Sequence, residues 1–500
     1  MAWMALLALG VLTLGSAPLL DADADAHRTR ARRAEPPDPA GSVAVTVSHN
    51  RAGRPVPARY LGISFEASVL GQVAAFSDRG DFATLLRSLG PGVLRFGGVS
   101  ADTQIAWTDA RTPKPAWARL ALSAGDFVQL RRLAQASGWK VLLTVGLAHF
   151  EPRAAAREVA AAKRALGPWL AGIEVGNEPD AYGKHGLRRQ PWNFAAYDAE
   201  VRTYLVAIRR LVHRRVPLAG PGVSGSRVFK RWGPREVRAQ NPVLLTGHHY
   251  PLGCNQLPAP SIERLLSAKV RDLEISSLHR YMAVSRASRI PFRMDEANSV
   301  SCGGRAGISN TFAAALWATG YIAQSMTAGV SGINLQGNPS NCFGYSPVCA
   351  ATAANLAGGL LHPQPLWYAL LMTHSLAGDR PLPTSVAVVP GATGTPNVSV
   401  TGLTTPNHSL RFVIVDYDPP GSAPQVFRLH VGPSFGEATV LAMQASSPEA
   451  TSGVYLGGHS VAGDGSWERP QSLPHVAPEA GVLTVTAAPS SASLVSVPHT

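Results

Sequence analysis

Residues 172–180 read Gly-Ile-Glu-Val-Gly-Asn-Glu-Pro-Asp. The first half is a short run with strand character, and the second is a polar turn holding Asn177, Glu178 and Asp180. Alone, Asn-Glu-Pro is a weak signal, because any exposed turn can carry it. Its weight comes from the segments on either side. Strand candidates recur at Tyr60–Glu66, Val93–Gly98, Lys140–Leu147, Gly172–Glu178, Pro217–Gly225, Leu244–Pro251, Pro291–Asn298 and Gly332–Gly337. Helical segments separate them; Asp126–Ala136 and Phe194–Arg215 carry apolar residues at three- and four-residue spacing. Eight strands alternating with helices predict an α/β chain folded as a (β/α)8 TIM barrel. A doubly wound open sheet is the alternative, but no glycine-rich phosphate fingerprint follows the first strand.

Beyond residue 375 helical periodicity stops. Short runs such as Ser385–Val389, Leu410–Val415, Val426–His430 and Gly481–Thr486 alternate with Pro, Gly and Ser, the texture of a β-sandwich. An alternating strand also precedes the barrel, Val43-Ala44-Val45-Thr46-Val47. The expected organisation is an apolar segment at 1–26, a basic proline-rich linker at 27–42, an N-terminal strand at 43–57 joining the sandwich, a catalytic barrel at 58–374 and the β-sandwich at 375–500. The apolar run Met1–Leu20 resembles a signal peptide without its positive n-region, with cleavage after Ala17 or Ala26. It predicts a secreted protein, or one held at the membrane by an uncleaved N-terminal anchor. No later stretch is long and apolar enough to span a bilayer; Phe312–Met326 comes nearest.

The formal charge of the 500 residues is +13, from scattered arginines. Either the partner is acidic, such as a polyanionic glycan, or the excess is compositional. No zinc-finger, RNA-binding or helix-turn-helix signature accompanies it, so no nucleic-acid partner is expected. Four cysteines in an exported chain favour disulfides. Cys254 follows strand six and Cys302 strand seven, while Cys342 and Cys349 share the loop after strand eight. Adjacent loops therefore predict the pairs Cys254–Cys302 and Cys342–Cys349. The spacing matches no common zinc site, and neither metal nor cofactor is expected.

In a barrel, reactive side chains sit at the C-terminal strand ends. Here strand one ends in Phe65-Glu66, strand four in Asn177-Glu178, strand six in His248-His249-Tyr250 and strand seven in Asp295-Glu296-Ala297-Asn298. Two glutamates on opposed strand ends suit the cleavage of a glycosidic bond with retention. One carboxylic acid protonates the leaving oxygen, and the other attacks the anomeric carbon from about 5 Å away. Asn177 is placed to bind a sugar hydroxyl, and Tyr250 to hydrogen-bond the nucleophile. Glu66 and Tyr345, in the loop after strand eight, are candidates for sugar contacts. Alternation puts Glu174 below Glu178, inside the barrel, where a buried carboxylate needs a cation; Arg95 is the nearest. The same alternation sends Asp295 away from the interior if Glu296 points in. His248 and His249 point oppositely and form no metal pair.

Four stretches in this order resemble glycoside hydrolase family 79, the heparanase and β-glucuronidase family. They are Leu94-Arg95-Phe96-Gly97-Gly98, Glu174-Val175-Gly176-Asn177-Glu178-Pro179, His248-His249-Tyr250, and Glu296 followed by Cys302-Gly303-Gly304. The resemblance extends over most of residues 43–500. It implies a retaining β-glucuronidase with Glu178 as acid/base, Glu296 as nucleophile and Tyr250 against the nucleophile. It places Lys184 on the leaving-group side and assigns the uronate carboxylate to backbone amides of Gly303 and Gly304. The implied partner is a uronate-containing carbohydrate: heparan sulfate, heparin or another glucuronide. Two positions depart from the family pattern. Val99 stands where a substrate-contacting threonine is expected, and Gly225 where a glutamine is. An exo-acting β-glucuronidase is therefore as open as an endo-acting enzyme. A clan relative acting on neutral sugars, or a non-catalytic glycan-binding surface protein, are the rival readings.

Overall fold

The computed structural model describes residues 38–212, 215–389 and 395–500. The predicted leader or anchor and most of the linker lie outside the described residues. Eight parallel strands form one sheet: Leu61–Glu66, Val93–Gly97, Lys140–Val145, Leu170–Val175, Ala219–Val223, Leu244–His249, Phe292–Ala297 and Gly332–Gly337. Counted in chain order, they pair as 4-3-2-1-8-7-6-5. Strands four and five meet at the Ile173–Leu218 bridge, which closes the ring. Nearly every strand residue is buried, as expected where side chains fill the barrel on one face and pack under helices on the other.

Local sequence sets the helix ends. Ser123 and Asp126 form a capping box at Ala124–Ser137, and Gly138 ends that helix at φ +77°. Helix Phe312–Ala328, the nearest approach to a membrane span, is buried almost all round because it lies between barrel and sandwich. A Cβ on its Gly320 would sit 1.9 Å from the Tyr417 hydroxyl of the sandwich, so only glycine admits that contact. Among the described residues no helix is long and apolar enough to cross a membrane.

The sandwich holds two largely antiparallel sheets. One runs Thr384–Val388, Val43–Val47, Gln425–His430, Val482–Ala487, so the N-terminal strand lies inside it, parallel to Gln425–His430. The other is built around Val398–Thr404, Leu410–Asp416, Ser491–Val497 and Ala438–Gln444. Val43, Val45, Phe412, Ile414, Phe427, Leu429, Leu483 and Val495 form the core between them.

Candidate active site

Leu94 and Phe96 pack into the helix layer, so Arg95 between them points into the barrel and is 0% exposed. A buried guanidinium needs partners for all its N–H groups. Nε faces Glu174 Oε2 at 3.2 Å and Asp295 Oδ2 at 3.1 Å. Nη1 donates to Glu296 Oε2 at 2.6 Å and Ser64 Oγ at 3.3 Å. Nη2 donates to Asn177 Oδ1 at 2.9 Å and lies 3.3 Å from His248 Nε2. The Arg95–Glu174 contact thus sits within a wider array. Thr144 Oγ1 also donates to Glu174, at 2.8 Å.

Asp295 is inside the barrel, contrary to the expectation from alternation. Apolar Phe292 and Met294 face the helices, so Arg293 and Asp295 face inward. Pairing with both neighbouring strands then shifts register beyond Met294. This bulge turns Glu296 inward beside Asp295. The signal was present in the apolar–charged alternation of Phe292-Arg293-Met294-Asp295, which puts charge under the helix layer if Asp295 points out.

Glu178 stands just beyond strand four, at φ 47° and ψ 50°, with its N–H bonded to Gly222 O at 2.9 Å. The turn before it is fixed by Asp102, which sequence reasoning missed. One Asp102 oxygen accepts from Leu147 N at 2.7 Å and Ala148 N at 3.1 Å, and the other from Asn177 N at 2.9 Å. Asp102 lies in the short helix Val99–Thr103 after strand two, so it ties the ends of strands two, three and four together. Burial pushes its carboxyl upward despite hydrogen bonds from Tyr182 and these amides. Asn177 Oδ1 is occupied by Arg95 and by Gly98 N at 3.0 Å.

His248 Nδ1 is 2.9 Å from Glu178 Oε1 and 3.8 Å from Glu296 Oε2. Facing oxygen atoms of Glu178 and Glu296 lie within 4.8 Å of each other. Tyr250 donates its hydroxyl to Glu296 Oε1 at 2.8 Å. Burial opposes the charge on Glu296, but His248, Arg95 and the Tyr250 hydroxyl outweigh it and hold the carboxyl below its ordinary range. Burial likewise opposes the charge on His248, yet Glu296 and Asp295 carry its affinity for the proton well above normal. Burial and the Asp295 charge push Glu174 up to about 7. Glu178, His248 and Glu296 present a spacing that a cation could use; the Arg95 guanidinium already supplies positive charge there. His249 points to the outer layer, against Glu274 at 3.0 Å.

The remaining candidates form a rim of varied intimacy. Tyr345 stacks on Tyr250, ring centroids 5.8 Å apart, with the hydroxyls at 3.4 Å. Tyr345 N donates to Gly303 O at 3.2 Å, joining the loops after strands seven and eight. A Cβ on Gly304 would lie 2.4 Å from Tyr345 N, so this close approach requires glycine. Gly304 N is drawn into a turn to Ser301 O at 3.4 Å. Disulfides join Cys254 to Cys302 and Cys342 to Cys349, bracing both loops. Glu66 accepts hydrogen bonds from the amide and hydroxyl of Ser100 rather than from a cation. Burial raises its pKa against those bonds, and the Glu296 charge adds to the rise. Lys184 is exposed and forms no hydrogen bond or ion pair among the described residues. Arg227 and Arg280 line a cavity with His248 and Tyr250. Arg227, Lys230, Arg231, Arg235 and Arg238 are all exposed on one helix, Ser226–Gln240, so part of the scattered basic charge is concentrated.

A closed (β/α)8 ring with paired carboxyls at strands four and seven is the architecture of barrel glycosidases. No family model matches the chain. It is 27% identical over 220 residues to a β-glucuronidase of Neurospora crassa, covering 40% of this chain and 37% of that protein. It is 29% identical over 209 residues to a β-glucuronidase of Aspergillus niger, 38% of each chain. The matched region thus spans well under half the length of these curated relatives. Across the whole fold, the chain is similar to a 4-O-α-L-rhamnosyl-β-D-glucuronidase of Fusarium oxysporum. That likeness has a TM-score of 0.71 at 18% identity, covering 90% of this chain and 99% of the other.

Proposed function

We propose that the protein is a retaining glycoside hydrolase that releases β-linked glucuronic acid from glycans or glucuronides, of the kind grouped in family 79. The observation that carries this reading is the pair Glu178 and Glu296, within 4.8 Å across the barrel mouth in unequal surroundings. Such a close approach of facing oxygens supports a retaining mechanism, in which the carboxyl groups stand roughly 5–5.5 Å apart. Glu296 receives two strong donors and is the group kept ionised, so it attacks the anomeric carbon. Its attack forms a glycosyl ester as the glycosidic C–O bond breaks. Glu178, with its side chain 25% exposed, is the group open to the leaving oxygen and gives it a proton. As carboxylate it then takes a proton from water, whose oxygen displaces Glu296 and completes the second inversion.

Glucuronide selectivity draws support from the names of the two curated relatives and from the glycine loop beside Tyr345. Gly304 N is already bonded to Ser301 O, which leaves Gly303 N as the glycine amide for a charge-assisted bond to a carboxylate that a neutral sugar leaves unused. Export is part of the same proposal, supported by the N-terminal apolar run and by two disulfides.

Purified protein should release 4-nitrophenol from the β-glucuronide with kcat/KM at least about a hundredfold above the β-glucoside, roughly 2.7 kcal/mol. Proton NMR of the first-formed sugar should show the β-anomer. Equal rates on both substrates would leave the neutral-sugar reading, and the α-anomer first would remove the retaining mechanism.

A further inference from the structure

Glu178 holds a backbone conformation that residues other than glycine rarely adopt, φ 47° and ψ 50°, so the direction of its side chain depends on what pins the turn. On the strand-five side, Glu178 N donates to Gly222 O at 2.9 Å. Asp180 accepts there from the amide and hydroxyl of Ser224, at 3.0 and 2.6 Å. On the strand-three side stands Asp102, 1% exposed. Its Oδ2 accepts from Asn177 N at 2.9 Å, and its Oδ1 from Leu147 N and Ala148 N at 2.7 and 3.1 Å. The residue before Glu178 is thus locked to the end of strand three through one buried carboxyl group.

Glu296 takes its direction from other groups. Arg95 Nη1 donates to one of its oxygens at 2.6 Å and the Tyr250 hydroxyl to the other at 2.8 Å. Among the described residues, neither of these donors bonds Asp102. The two glutamates are therefore aimed by separate sets of hydrogen bonds, and Asp102 belongs to one set only.

We propose that Asp102 is a positioning residue for the proton transfers of the reaction: by holding Asn177 N it aims the Glu178 carboxyl at the leaving oxygen, and it takes no part in the attack by Glu296. This rests on the reading of Glu178 as the acid/base. In the first step Glu296 bonds to the anomeric carbon as the glycosidic C–O bond breaks, and the leaving oxygen takes the proton of Glu178. An aglycone that is stable as an anion leaves without that proton, whereas a more basic one needs it. In the second step Glu178 takes a proton from water as the water oxygen displaces Glu296. A shifted turn therefore harms the first step in proportion to the basicity of the leaving group, and harms the second step whatever the leaving group was.

Asparagine at this position keeps the shape of the side chain but accepts at one end only, so it turns an NH2 toward a backbone N–H. In Asp102→Asn, kcat/KM on phenyl β-glucuronide should fall about a hundredfold, the scale of a misplaced acid, while on 2,4-dinitrophenyl β-glucuronide it should stay within about threefold. On the dinitrophenyl substrate kcat and KM should fall together, because the glycosyl ester accumulates. Added azide attacks that ester without a base and should restore kcat. Equal losses of kcat/KM on the two substrates would mean a merely structural role and would overturn the proposal. Should Asp102→Asn fail to fold, Asp102→Glu keeps the charge, moves it by one methylene and decides the point by the same ratio. Failure of both to fold would make Asp102 a folding residue and overturn the proposal too. Glu178→Ala, assayed alongside, should show the same dependence in stronger form. A loss in Glu178→Ala that ignores the leaving group would remove the reading of Glu178, and this proposal with it. The dependence in Glu178→Ala without it in the Asp102 variants would overturn this proposal alone.

Discussion

Arg95 and Arg293 lie inside the same barrel, 0% and 4% exposed, and are solvated in opposite ways. At the mouth, Arg95 is surrounded by Glu174, Asp295 and Glu296. At the base, Arg293 donates to Asn334 Oδ1 at 2.6 Å and to the carbonyls of Arg59 and Tyr60 at 3.0 and 3.2 Å. The consequences for proton affinity diverge. Burial opposes the charge on Arg95, but the three carboxylates overcome it and raise the affinity. Burial pulls Arg293 down to about 10, against the more distant attraction of Asp295. Neutral carbonyls satisfy a guanidinium without creating ions that can react, which makes the lower arginine a structural plug. Carboxylates satisfy it while remaining bases and nucleophiles themselves. The difference separates the half of the barrel that holds shape from the half that holds charge.

The sharpest way to break this comparison is to remove each arginine in turn. Arg95→Met should lower kcat/KM on a glucuronide at least about a thousandfold, roughly 4 kcal/mol, and cost about 3–5 kcal/mol in urea unfolding, because buried carboxylates lose their partner. Activity within tenfold of wild type would deny Arg95 its place at the centre. Arg293→Met should also cost about 3 kcal/mol of stability, since three acceptors lose donors, yet the folded variant should keep kcat/KM within about threefold. A large kinetic loss there would erase the distinction between the two halves.

The smallest expected effect is one of pH. An unfolded Glu174 ionises near 4.5, whereas the folded one keeps its proton to about 7. Below 4.5 both states hold the proton and the folded state has its full benefit. As pH rises through this window unfolding releases a proton, so stability falls, by about 1–2 kcal/mol after allowance for the coupling to Asp295. Glu174→Gln should flatten that part of the stability–pH curve. An unchanged slope between pH 4.5 and 7 would place the titrating group elsewhere.

Much of this was legible in the chain because strand ends in a barrel have a fixed meaning. The alternation of strands and helices leads to the ring, and position along each strand leads to Glu178, Glu296 and Tyr250 facing one mouth. Alternation also put Glu174 beneath Glu178 and so led to Arg95. Where the reading failed, the cause was local geometry that breaks the period of two. The register shift in strand seven turned Asp295 and Glu296 the same way, and counting along the strand cannot reveal an extra residue. Asp102 was invisible for another reason: three of its partners are backbone amides, which leave no trace in residue identity.

Strand Val43–Val47 has a consequence for the order of events at the ribosome. Its parallel partner is Gln425–His430, and its other neighbour is Thr384–Val388. The strand therefore emerges early and waits, unpaired on both edges, while the entire barrel is synthesised after it. Its sequence, Val-Ala-Val-Thr-Val, is short, uncharged and β-branched, the composition of a segment that adds to any available sheet edge. Nascent chains stalled before residue 384 would expose it beside a barrel free to fold, and crowding of ribosomes on one message would bring such strands together. A chain that threads a strand made before the barrel into a sheet made after it depends on prompt translation of everything between.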